Sequence, residues 1–304
     1  MDALPQLLIS PVGGGLAALT AAFLWALASL WFTRLGSRLS VIEVNFLKGL
    51  LALILLILTL YLSGGGLQAI PANAFGLLLV SGVIGITLGD SAYLQALQHL
   101  GPRRTLLLAT LAPPMVGLIA WGALGENLSW LAWLGIFLTV LGIIWVILER
   151  TPDSAPAFDL KRGLWFGFLA ALSQSVALVL SRLALTRTAV DSLQSTILRL
   201  GAAVVVLAAW SLVRRRPLVS RAVFQAQPGL WLTLAAATFI GTYLAMWLQQ
   251  VSIALTPAGI VQTFLSASPL FILPIAALRG EKITPRAVLG ALLALSGVAL
   301  LFTR

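Results

Sequence analysis

Apolar runs of the roughly 20 residues needed to cross a bilayer follow one another along almost the whole chain. They recur about every 30 residues, so only short loops separate them and no soluble domain fits between. Of the 304 residues, 60% are hydrophobic and 9% are charged, whereas soluble domains carry about 25% charged residues. Mean hydropathy is +1.04. A surface with so few charges must face lipid. The net charge of +10 would point to nucleic acid in a soluble protein. Here the basic residues sit in short loops, the pattern of a membrane protein, and no nucleic-acid partner is expected. There is no cysteine, which excludes disulfides, thiolate nucleophiles and zinc–thiolate sites. The N-terminus, MDALPQLLISPVGGG, lacks the basic start of a cleavable signal peptide, so the first run is expected to be retained.

Gly, Pro and charged punctuation divides the runs into ten segments: 13–33, 41–62, 74–98, 103–123, 129–148, 163–185, 192–213, 229–253, 257–278 and 285–302. The two halves resemble each other. LAPPMVGLIAWGALGENLSWLAWLGIFLTVLG (111–142) aligns without gaps on SASPLFILPIAALRGEKITPRAVLGALLALSG (266–297), pairing Pro114 with Pro269, Gly125-Glu126 with Gly280-Glu281, and Gly142 with Gly297. Pro102 pairs with Pro257, and small gaps bring Arg34 onto Arg182 and Lys48 onto Arg199. Five segments is an odd number, so the second copy must enter the membrane from the other side. Loop charge agrees: the loops after segments 1, 3, 5, 7 and 9 hold fourteen Lys and Arg, the alternate loops with both termini only three. The basic loops are expected in the cytoplasm and both termini outside. The expected fold is all-α, ten transmembrane helices in two inverted five-helix repeats, residues 1–150 and 163–304. The linker is TPDSAPAFDLKR at 151–162.

Inverted repeats are common in secondary transporters, where related halves move around a site near the midplane. The pattern of short-looped helices with Gly-Glu after segments 4 and 9 resembles the EamA-type branch of the drug/metabolite transporter superfamily. SAYLQALQHLGPRRTLLLATLAPPMVGLIAWGALGE and MWLQQVSIALTPAGIVQTFLSASPLFILPIAALRGE are similar to that family's hairpins of helices 3–4 and 8–9. The resemblance covers nearly the whole chain. It implies a multi-pass protein of the cell membrane, the inner membrane of a bacterium, that moves amino acids, other metabolites or drugs, often outward.

Candidate functional residues are the polar ones that lipid would penalise. LGDSAYLQALQHLG (88–101) sets Asp90 in an otherwise apolar stretch. At 100° per residue, Thr87, Asp90, Tyr93 and Leu97 share a face with Gln98 at its edge. A stripe of Gly82, Gly85, Gly89, Ala92 and Ala96 beside it suits close packing. Asp90 lies about 6 Å to the cytoplasmic side of the helix centre at 1.5 Å per residue. It is expected to line the site and sense proton or substrate charge; the alternative is a structural Asp bonded to another helix. Lys48 and Arg199 lie at equivalent depths, about 12 Å and about 10 Å from opposite ends of their helices. They either attract an anionic group of the substrate or snorkel to water. Trp25, with Ser29 and Thr33, suits a cavity wall or ordinary packing. Pro114 and Pro269, with Pro113 and Pro274 nearby, are expected to kink segments 4 and 9 as hinges. Glu126, Glu281, Arg182 and His99 lie at helix ends and read as fold determinants or interfacial groups.

The expected function is secondary transport, with export favoured, of small metabolites such as amino acids. A uniporter or channel-like facilitator and a multidrug exporter are the alternatives within that class. An integral-membrane enzyme would need HExxH, paired carboxylates or Ser with His and Asp, and none of these is present. There is no phosphate-binding loop or ATP motif, so no cofactor or metal is expected. The expected partners are a small-molecule substrate and the bilayer. Glycines on segments 5 and 10 fit a homodimer contact and a monomer equally.

Overall fold

A computed structural model describes residues 11–300 apart from 65, 67, 125–128, 148–158, 216–217, 221–227, 257, 279 and 281–283. Among the described residues the chain is helical and without strands. The helices are α1 (Pro11–Gly36), α2 (Val41–Leu62), α3 (Ala72–Gly82), a π-helical stretch π1 (Val83–Asp90), α4 (Ser91–Ala109), α5 (Ala112–Leu124) and α6 (Trp130–Ile147). They continue as α7 (Leu160–Arg187), α8 (Ser192–Val213), α9 (Pro228–Thr238), π2 (Phe239–Leu244), α10 (Ala245–Leu255), α11 (Ala258–Leu265), α12 (Ser268–Leu278) and α13 (Pro285–Leu300). Among the described residues, six continuous stretches are long and apolar enough to cross a membrane: Val12–Gly36, Val41–Leu62, Ala72–Ala109, Leu160–Arg187, Ser192–Val213 and Pro228–Leu255. The shorter apolar helices lie in the remaining segments. The linker, Glu126 and Glu281 fall outside the described residues.

Local sequence explains the boundaries. Ser40 and Glu43 form a capping box at the start of α2, each side chain taking the other's backbone N–H. Asp191 accepts from Leu193 N at 2.9 Å and starts α8. Gly101, at φ 74°, bends α4 within its span, and Pro102 begins the next turn. Arg182 donates to the carbonyl oxygens of Ile253 and Ala254, capping the end of α10. His99 stacks on Phe166 of α7 with the rings 6.1 Å apart.

The repeats interlock. Helix α1 of the first packs among α9 to α12 of the second, while α7 of the second packs against α3 to α5 of the first. Small residues make this approach close. A Cβ added at Gly85 would lie 2.7 Å from that of Ala177, and one at Gly241 would lie 2.4 Å from that of Ala28. The stripe read on segment 3 therefore docks as expected, Gly82 on the backbone of Arg199 and Gly89 on Ser173.

Helices α6 and α13 pack on each other. Added carbons at Gly142 and Gly297 would meet the Ala294 nitrogen at 2.6 Å and the Thr139 nitrogen at 2.5 Å. The glycine faces, which fit a homodimer contact and a monomer equally, meet each other within one chain. What α6 turns outward is Trp130, Trp133, Phe137 and Trp145, an apolar and aromatic surface suited to lipid.

Candidate functional site

Two segments expected as unbroken α-helices carry a π-helical stretch instead. Such stretches are rare and occur often at functional sites. Residues 83–90 and 239–244 match under the offset that aligns the two halves. A π turn spans more residues than an α turn and so rotates the rest of the helix relative to an ideal one. Thr87 consequently points to α8, its Oγ1 donating to Ala203 O at 3.5 Å. Leu97 joins the apolar core, and the face of four expected at 100° per residue is reduced to Asp90 and Tyr93.

Helix α2 grips the first π stretch. Asn45 Nδ2 donates to Ile86 O and to Ser91 Oγ, both at 2.9 Å. One turn later Lys48 Nζ forms an ion pair with Asp90 Oδ2. Lys48 is 2% exposed and Asp90 4%, so neither charge reaches water. Lys48 does not snorkel; it neutralises the carboxylate from behind, with its Nζ 5.8 Å from the centre of the Phe32 ring.

Arg199, from α8, is 4% exposed and packs where Gly82 and Gly85 leave room. Its Nε has no hydrogen-bond partner. The two cations that align between the repeats are therefore both buried, and Lys48 pairs with Asp90. The position of Asp90 in the second repeat is Ala245.

Asp90 also lines a cavity with an empty volume of about 810 Å³, counting the space at its mouth. Trp25, Tyr93, Gln174, Gln249, Gln262, Ser266 and Ser268 join it, and most of the remaining wall is alanine, glycine and leucine. Trp25 and Tyr93 pair with ring centres 5.5 Å apart. Of the residues singled out in the sequence, Asp90, Tyr93 and Trp25 line the cavity, while Lys48 and Arg199 lie outside its lining. Gln98 is exposed and rests against Gly36, away from the cavity. The three glutamines did not stand out in the sequence, because each has polar neighbours: Ser173 and Ser175, Gln250, and Thr263. Asn45 could have been found, since it sits one turn before Lys48 on the same helical face.

Both segments expected to kink are broken at the cavity, at Thr110–Leu111 and at Ser266–Ala267. Pro114 and Pro269 lie just past these breaks, in the first turns of α5 and α12. Hydroxyl groups also bind carbonyls beside the breaks. Thr110 Oγ1 donates to Leu107 O at 2.7 Å, Ser266 Oγ to Gln262 O at 2.8 Å and Ser268 Oγ to Leu265 O at 2.8 Å. Each break is also tied to the other repeat. Ser175 Oγ of α7 donates to Ala112 O at 3.1 Å, and Ser268 Oγ to Ala22 O of α1 at 3.2 Å.

No curated protein matches the chain at a significant level. A solved structure described only as "Crystal structure of protein" is similar in fold, with a TM-score of 0.68 and 18% identity, covering 95% of this chain and 96% of its own. The sequence model of the EamA-like transporter family matches twice, at residues 12–148 and 161–303. These two matches span nearly the whole of an apolar, multi-pass membrane protein, and the chain belongs to the EamA-like transporter family.

Proposed function

We propose that the protein is a secondary transporter, not an enzyme, that exports small metabolites by alternating access through the central cavity. The observation that carries this reading is the pair of broken helices, one from each repeat, that meet the cavity and are tied across to the opposite repeat. Transporters of this kind use discontinuous helices around a midplane site. A channel has no need of matched breaks. The direct check is solute release from proteoliposomes loaded with a mixed pool of labelled metabolites. Saturable, protein-dependent release, abolished by Ala171→Trp at the cavity wall, is the expected result. Release no faster than from empty liposomes contradicts it.

The proposed topology is ten crossings in two inverted repeats, with both termini outside the inner membrane of a bacterium. Contacts at helix ends support it, because they join only loops of one parity. Ser220, after α8, donates to Glu43 Oε1 at the start of α2 at 2.9 Å. Gln194, at the start of α8, reaches Gly66 O at 3.2 Å. A reporter fused after Arg304 is expected to be active only if it works outside the cytoplasm. Activity there of a cytoplasm-only reporter contradicts the orientation.

A further inference from the structure

We infer that the cavity takes an uncharged, planar solute bearing N–H donors and C=O acceptors on one edge, as nucleobases and other cyclic amides do. This rests on the transporter reading and names the class of its cargo.

Charge favours a neutral occupant. Among the described residues lining the cavity there is no Lys, Arg or His, and the acid there, Asp90, is already paired with Lys48. A carboxylate or phosphate entering it would be a buried charge without a partner, which is costly. The usual remedy is a half-helix N-terminus, whose free N–H groups hold anionic groups in transporters. Both half-helices here have fewer of those donors. Pro113 and Pro114 in α5 and Pro269 in α12 have no N–H. Met115 N already donates to Leu111 O and Leu270 N to Ala267 O.

The groups that the cavity offers point the same way. Gln174, Gln249 and Gln262 bring primary amides from three helices of the second repeat, each with two donors and an acceptor. Gln262 is 4% exposed and its Oε1 has no hydrogen-bond partner. Tyr93, from the first repeat, is buried at the same cavity beside Trp25. Unmet groups in a buried site want a ligand to meet them. The tilted Trp25–Tyr93 pair supplies flat apolar surface for a ring. Neutral amides and aromatic surface complement a cyclic amide, not an ion.

The test is equilibrium binding of uracil, adenine, L-phenylalanine and L-threonine to the purified full-length protein, monitored by tryptophan fluorescence. At least one base is expected to bind saturably and neither amino acid to do so. Gln262→Leu, and independently Gln249→Leu, should weaken base binding by about tenfold, the effect of losing one neutral hydrogen bond, with an unchanged melting curve. Amino-acid binding without base binding overturns the inference, as does base affinity unmoved in both variants. Saturable amino-acid release from proteoliposomes in that case leaves the transporter reading standing. If no member of the metabolite pool is released and no base binds, both fail.

Discussion

Asp90→Ala is expected to abolish transport and to destabilise the protein by about 3–5 kcal/mol, the usual result of stranding one member of a buried ion pair. Lys48 would remain in the membrane interior without its counter-charge. Replacing the pair by apolar residues is often nearly neutral, so Lys48→Met added to Asp90→Ala should recover most of the lost stability but not the transport. Thermal unfolding in detergent, run beside a flux assay, separates the two effects. A single variant as stable as the parent would mean that the pair carries no such role. Asp90→Asn keeps the shape and removes the charge; if Asp90 senses protons it should also flatten the pH dependence of transport.

Pro114→Ala together with Pro269→Ala is expected to slow solute exchange by about tenfold or more, equivalent to roughly 1.4 kcal/mol on the barrier, while leaving binding nearly unchanged. Each proline blocks the α-helical bond to the residue four before it, Thr110 or Leu265, and so keeps the helix open at the cavity. Alanine lets the helix close across Thr110–Leu111 and Ser266–Ala267. Comparing exchange rate with binding affinity reads the difference. Unchanged exchange would make the prolines packing features.

The fold was legible because lipid punishes error. Apolar length, loop charge and the Pro114/Pro269 register are one-dimensional signals, and they were enough for the helical architecture and the family. The interruptions were less so. Prolines announced the bends in segments 4 and 9, yet nothing in VIGITLGD or FIGTYL distinguishes a π turn from an α turn. That choice is made by tertiary partners such as Asn45, which takes the Ile86 carbonyl. The same turn explains why an ideal helical wheel put Thr87 beside Asp90. Within the site, Asp90 and Tyr93 stood out because lipid penalises polar groups, and Trp25 because it shares a face with Ser29 and Thr33. Lys48 and Arg199 stood out as cations within apolar segments, open between a substrate contact and snorkelling; that Lys48 pairs with Asp90 is a three-dimensional fact. The small-residue faces of α6 and α13 were visible too. Their partner was not, since a glycine stripe fits another chain as well as a helix of its own chain.

The central claim is that one cavity is offered to the two sides of the membrane in turn. Counterflow measures this directly: proteoliposomes are preloaded with unlabelled solute, and the uptake of a trace of the same solute in labelled form is recorded over time. The account predicts a transient accumulation of label above its equilibrium level, lost in Ala171→Trp and slowed in the double proline variant. Label that only rises to equilibrium, at a rate indifferent to the internal pool, would identify a channel and contradict alternating access.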